Sequence, residues 1–200
     1  MKDKSSQNGS ENNLKNIAIF ASGSGSNFEA IATAVINGKI NAKVSLLVCD
    51  KPEAKVISRA KRLGVPVFVC SPRDFKSRLA HEERILVELN AARVEFIVLA
   101  GYMRIVGEIL LSEYGGKIVN IHPSMLPAFP GMDAIAKAFA SGASHTGVTV
   151  HFIDEGVDTG PIIAQRQVKI LPGDTLETLE ERVHQVEHEL YVEVLRGLLV

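Results

Sequence analysis

Between residues 16 and 121 short apolar runs alternate with amphipathic stretches. The runs at 16–21, 44–50, 65–70, 94–100 and 118–121 have the nearly continuous apolar character of strands buried on both faces. The stretches at 27–37, 52–63, 74–91 and 107–114 carry helical spacing, and several end near glycine, which readily takes the left-handed cap conformation. Such alternation predicts a parallel sheet covered by crossover helices. After Ile121 the pattern changes, because Pro123, Pro127, Pro130 and Gly131 crowd one stretch and predict a long loop. A short helix at 133–140, strands at 147–153 and 162–170, and an amphipathic helix from about Thr175 complete the pattern. The expected class is α/β, a mostly parallel twisted sheet flanked by helices, with mixed strands toward the C-terminus.

Composition narrows the setting. The chain has 200 residues, 46% hydrophobic and 22% charged, enough apolar material for a sizeable core. Residues 1–13 are polar and lack an apolar segment, so a disordered tail is expected there, followed by one domain over 14–200. Lys and Arg number 22 against 23 Asp and Glu, a net charge of −1 that exerts no overall pull on nucleic acid or anionic membrane. No apolar run approaches the roughly 18–20 residues that span a bilayer. The two cysteines, Cys49 and Cys70, lie in strand-like runs and suggest no disulfide framework, so a reducing cytoplasm is the expected compartment.

Ala21-Ser22-Gly23-Ser24-Gly25-Ser26-Asn27 follows the first strand and opens the first helix, where free N–H groups and the helix dipole favour an anion such as phosphate. Asp50, ending the second strand, mimics the ribose-holding acid of dinucleotide sites. Phe28, however, stands where that fingerprint requires a third small residue. A tight turn that merely needs glycine is the plainer alternative. Ser26 and Asn27, as hydrogen-bonding residues at the helix start, favour phosphate over it.

Asn120 and His122 are two apart on a strand, so both side chains face one way while Val119 and Ile121 face the other. Pro123 ends that strand at the carboxyl edge, where parallel sheets hold ligands. Thr149 and His151 share a face in the same manner, and the loop Asp154-Glu155-Gly156-Val157-Asp158-Thr159-Gly160 supplies a carboxylate. Asn and His can stabilise an oxygen that becomes negative in a tetrahedral intermediate, with Asp biasing the histidine's protonation and assisting proton transfer. No Ser or Cys nucleophile motif accompanies them, which points to direct acyl transfer to an amine. A rival motif, His184-Gln185-Val186-Glu187-His188, matches H-x-x-E-H zinc sites, but Glu189 and Glu193 alone follow as possible further ligands. A solvated helix face is the plainer reading of that motif.

Together with Leu99-Ala100-Gly101-Tyr102-Met103-Arg104-Ile105 and Asn120-Ile121-His122-Pro123-Ser124-Met125-Leu126-Pro127, the glycine turn and the Asp154–Pro161 loop resemble the phosphoribosylglycinamide formyltransferase family. The resemblance runs from about Asn16 to the C-terminus. It implies a Rossmann-like formyltransferase fold and transfer of a formyl group from 10-formyltetrahydrofolate to the amine of glycinamide ribonucleotide in de novo purine synthesis. It implies no metal, no nucleic acid and no membrane partner. By the same resemblance Gly25, Ser26, Asn27 and Glu187 would bind the ribonucleotide. Arg78, Met103, Arg104, Ile105, Val106, Asn120, Asp154, Glu155, Gly156, Val157 and Asp158 would line the folate pocket. Asn120, His122 and Asp158 would be catalytic. Ser24, Met125 and Thr149 are mild departures that concern substrate contacts rather than the reaction.

Relatives that formylate methionyl-tRNA would be expected to carry a further C-terminal domain and a basic surface. Formyltetrahydrofolate deformylases would carry an N-terminal module. The hydrolase is the second reading, and a noncatalytic nucleotide-binding module, which would leave Asn120, His122 and Asp158 unexplained, is the third.

Overall fold

The computed structural model describes residues 14–200; the tail expected at 1–13 lies outside them. Seven strands form one sheet in the order β3-β2-β1-β4-β5-β6-β7. They are β1 (Lys15–Ala21), β2 (Ala42–Cys49), β3 (Val67–Val69), β4 (Phe96–Leu99), β5 (Ile118–His122), β6 (His145–Phe152) and β7 (Ile162–Lys169). The first five are parallel, and β6 and β7 run antiparallel to their neighbours, as the apolar pattern predicts. The helices are α1 (Ser26–Ile36), α2 (Lys55–Arg62), α3 (Arg78–Ala91), α4 (Glu108–Tyr114), α5 (Ala134–Ala140) and α6 (Leu176–Leu198).

Alternate residues of the central strands feed two separate cores. Ile17, Ile19, Val119 and Ile121 pack with Phe28 and Ile31 of α1 and Leu179, Val183 and Tyr191 of α6. Ala18, Phe20, Ile97 and Ile118 pack on the other face with Ile85 and Leu89 of α3 and Leu110 and Tyr114 of α4. Covering both faces with apolar side chains removes a large area from water, the main favourable term in folding. Tyr191 anchors the long α6 to the sheet: it is fully buried, and its hydroxyl lies 2.8 Å from the Leu99 carbonyl and 3.1 Å from that of Val119.

Several expected boundaries move by a few residues. The helix expected from residue 74 starts at Arg78, because Ser77 caps it by accepting the Ala80 N–H at 3.1 Å, and Pro72–Asp74 forms a separate 3-10 turn. The strand expected at 65–70 narrows to Val67–Val69, an edge strand with β2 as its one neighbour. The expected helix at 52–63 shortens to Lys55–Arg62.

The sheet order leaves a crevice at the carboxyl ends of β1 and β4, where the connections depart in opposite directions, and such switch points hold ligands. The glycine turn leaves β1 there, the segment after β4 borders it, and β5 delivers His122 to the same edge.

Candidate active site

The turn after β1 is shaped by glycine. Gly25 has φ +77, and a Cβ placed on it would lie 2.5 Å from Val56 Cγ2 and 2.9 Å from Val56 Cα, so only glycine fits without displacing α2. α2 also holds the turn: the Val56 N–H donates to the Gly23 carbonyl (3.1 Å) and Arg59 Nε to the Ser24 carbonyl (2.8 Å). No side chain caps α1. Its first N–H groups have no acceptor within the helix, an arrangement suited to an anion.

That corrects the expectation that Ser26 and Asn27 hydrogen-bond at the helix start. Asn27 instead crosses to α6, and its Nδ2 donates to Glu187 Oε2 at 3.1 Å. The same oxygen accepts from His184 Nδ1 at 2.8 Å. Glu187 is only 4% exposed, which overturns the solvated-face reading at that residue, whereas His184 and Gln185 of the same motif are exposed. Among the described residues no three His, Cys, Asp or Glu side chains converge in a metal-binding arrangement. The hydrogen bond it donates to Glu187 holds the His184 pKa above its ordinary 6.5, whereas burial lowers that of His188 one turn along.

The second half of the site is assembled from side chains. The antiparallel register sets Asn120 opposite His151 and His122 opposite Thr149. Asn120 Nδ2 lies 3.3 Å from His151 Nε2. The loop after β6 folds back so that Asp158 reaches both rings, with Oδ2 3.4 Å from His122 Nδ1 and Oδ1 3.6 Å from His151 Nε2. The Gly131 N–H donates to Asp158 Oδ2 at 2.8 Å. Asp158 is held below the ordinary carboxylate pKa of 3.8, first by the adjacent His151 ring, then by the Gly131 N–H and the nearby His122 ring, against the opposing effect of burial.

Each ring is oriented by a backbone carbonyl. His122 Nε2 lies 2.9 Å from the Phe129 carbonyl and His151 Nδ1 lies 2.8 Å from the Phe152 carbonyl. A carbonyl only accepts, so each of these nitrogens carries a hydrogen. Phe129, Asp133 and Asp158 all have positive φ, at 53°, 58° and 55°. Such strain costs about 1–3 kcal/mol per residue and concentrates at functional sites. Gly160 ends the loop because a Cβ there would lie 2.0 Å from the Phe152 carbonyl oxygen.

The sequence reading missed His151 as a member of this cluster, although its alternation with Thr149 was the available signal. Thr149, one of the mild departures from the family pattern, is fully buried. Its hydroxyl donates to the Ser124 carbonyl (2.6 Å) and accepts the Leu126 N–H (3.1 Å), thereby holding the loop after His122.

The residues expected to line the folate pocket lie on four segments, one of which is β5, with Asn120. Arg78 and Glu82 of α3 pack against Gly107, and Met103, Arg104 and Ile105 are exposed while Val106 is buried. Asp154, Glu155, Gly156 and Val157 are exposed on a loop tied by Asp154, whose Oδ1 accepts from the Gly156 N–H and the Thr159 hydroxyl. A cavity of about 440 Å³ beside this loop is lined by Leu111, Gly115, Ile153, Asp154, Glu155 and Gly156. Another, of about 380 Å³, is lined in part by Lys15, Glu95 and Lys117 and lies at the opposite ends of the strands, away from the histidines.

Residues 15–195 match the family described as formyl transferase. Over 186 residues the chain is 53% identical to a phosphoribosylglycinamide formyltransferase of Bacillus subtilis, covering 93% of this chain and 95% of the relative. A crystal structure of glycinamide ribonucleotide transformylase 1 from Geobacillus kaustophilus superposes with a TM-score of 0.91 at 61% identity, covering 94% of this chain and all of the other. A formyltetrahydrofolate deformylase from Pseudomonas syringae superposes at 0.86 with 23% identity, covering 93% of this chain and 61% of the other, a likeness of fold alone.

Proposed function

The chain belongs to the formyl transferase family, and from that premise we propose that it transfers a formyl group from 10-formyltetrahydrofolate to the amine of N1-(5-phospho-D-ribosyl)glycinamide, the purine-pathway reaction of a phosphoribosylglycinamide formyltransferase. The observation that carries this reading is the juxtaposition of two chemistries on one sheet edge, an anion-accepting helix start and a buried Asn-His-Asp cluster. β1 and β5 are separated by β4 alone, so the two sites stand roughly 10 Å apart across the sheet, a span that a phosphoribosyl group can bridge.

In this proposal the phosphate sits on the N–H groups of Gly25, Ser26 and Asn27, and Glu187 accepts from the ribose hydroxyls. Oε2 of Glu187 is occupied by Asn27 and His184, which leaves Oε1 for the ligand. The folate lies between residues 103–106 and 154–158, its ring edge hydrogen-bonded by backbone groups and enclosed by apolar side chains, with Arg78 at the margin.

The substrate amine attacks the formyl carbon and a C–N bond forms. The former carbonyl oxygen becomes an oxyanion held by Asn120 Nδ2–H and His122 Nε2–H, the latter exchanging the Phe129 carbonyl for the oxyanion. Asp158 stays ionised beside His122 Nδ1 and stabilises positive charge on the ring while it relays a proton. The attacking nitrogen loses its proton, the bond from carbon to folate N10 breaks, and N10 leaves protonated. His151 holds Asp158 and Asn120 in place. No residue becomes acylated. The co-substrates are small molecules, and the compartment that suits them and the two free buried cysteines is the cytoplasm. Among the described residues no helix is long and apolar enough to cross a membrane.

The test is folate deformylation by chelator-treated protein, followed spectroscopically with and without the ribonucleotide. Turnover that requires the ribonucleotide is expected. Formate release without an acceptor would make the protein a hydrolase, and silence in both would leave a noncatalytic nucleotide-binding module.

A further inference from the structure

Residues 100–107 adopt no helix or strand, yet they include four of the residues assigned above to the folate pocket. Side chains from three other elements hold this segment. Ser22, following β1, accepts the Met103 N–H on its hydroxyl at 2.8 Å and donates its own N–H to the Gly101 carbonyl at 3.0 Å. Glu82 on α3, only 3% exposed, accepts the Gly107 N–H at 2.6 Å. Asp50, following β2, accepts from Arg104 Nε at 2.8 Å.

The third contact differs from the other two. Ser22 and Glu82 hold backbone, but Asp50 holds a side chain, and it does so at a cost. Its side chain is 0% exposed, and its second oxygen, Oδ1, has no hydrogen-bond partner. A buried carboxylate with half its acceptor capacity unused is a poor device for stability alone, since an apolar residue of similar size avoids the desolvation cost. The Arg104 side chain is 47% exposed and is anchored through Nε.

We propose that Asp50 is a positioning residue for the folate-binding segment: by fixing Arg104 through Nε, it sets the backbone of residues 104–106 before folate arrives. The proposal rests on the formyl-folate reading above. Without Asp50, Arg104 regains its rotamer freedom, and that entropy must be lost again on binding. The effect therefore falls on folate affinity, because Asp50 touches neither the reacting atoms nor the ribonucleotide turn.

A double-mutant cycle tests this. Asp50→Asn keeps the shape and removes the charge. It should raise the formyl-folate KM about tenfold, with kcat and the ribonucleotide KM within about twofold of wild type. In an Arg104→Ala background, Asp50→Asn should cause no further rise. An unchanged folate KM in the single variant, an additive rise in the double variant, or equal losses in kcat and both KM values would each overturn the assignment. If Asp50→Asn fails to fold, Arg104→Lys reads the same contact from the exposed side. It keeps the charge but lacks the Nε–H, so it should also raise the folate KM, and a wild-type value would overturn the proposal. Wild-type protein that fails to use formyl-folate would instead overturn the functional reading itself.

Discussion

The turn after β1 and the cluster around His122 share one sheet edge, yet they are built in opposite ways. The turn is contiguous in sequence, offers backbone N–H groups and takes two side-chain contacts from afar, Arg59 to the Ser24 carbonyl and Glu187 to Asn27. The cluster draws Asn120 and His122 from β5, His151 from β6 and Asp158 from the loop beyond it. Holding a fixed anion needs only oriented dipoles, which any chain can supply at a helix start. Moving a proton needs titratable side chains in register. The two halves also respond to pH with opposite sign. His184 has a raised pKa, so its contribution to stability is full below its unfolded value and is lost as pH rises through the folded one. Asp158 has a lowered pKa, so its contribution is present above its unfolded value and is lost as pH falls through the folded one.

The sharpest way to break this comparison is to disable one half and measure the other. Asp158→Asn should lower kcat about 10²–10⁴-fold, the range for losing a proton-transfer group, with the ribonucleotide KM within about threefold. Asn tolerates the left-handed backbone at φ 55°, so the melting temperature should stay close to wild type. A comparable rise in ribonucleotide KM would erase the distinction between the halves. Gly25→Ala should do the reverse, raising ribonucleotide KM and lowering the melting temperature, because its Cβ meets Val56. Overpacking of this kind costs about 1–3 kcal/mol. Calorimetry showing unaltered ribonucleotide affinity would remove the turn from the phosphate site.

A smaller effect is expected for Asn27→Ala. Loss of one hydrogen bond to the Glu187 carboxylate should weaken ribonucleotide binding about tenfold and leave kcat near wild type. The smallest effects are the titrations themselves. By NMR, His184 should titrate above 6.5 and return toward it in Glu187→Gln, while the Asp158 carboxyl should titrate below 3.8. A His184 midpoint unmoved by Glu187→Gln would show that their hydrogen bond does not control it.

Much of the sheet was legible in the chain because strands covered on both faces must be apolar throughout, as in Ile17-Ala18-Ile19-Phe20, all fully buried. The glycine turn was legible because a left-handed φ at Gly25 restricts the residue type. Asn120 and His122 were legible as a pair because strand alternation puts them on one face. Edge strands and helix starts were read less well, since the ends of elements depend on single contacts such as that of the Ser77 hydroxyl with the Ala80 N–H.

What the chain determined by itself is local: strand and helix periods, the turn that requires glycine, and the chemical types available at each strand end. Tertiary structure alone decided that Asn120 faces His151, that Asp158 returns to both rings, that Glu187 on the last helix meets Asn27 on the first, and that Asp50 holds Arg104. The reason is physical. Periodicity reports which face a side chain occupies, but a hydrogen bond acts over about 3 Å, and residues 54 or 160 positions apart are brought within that reach only by sheet order and register.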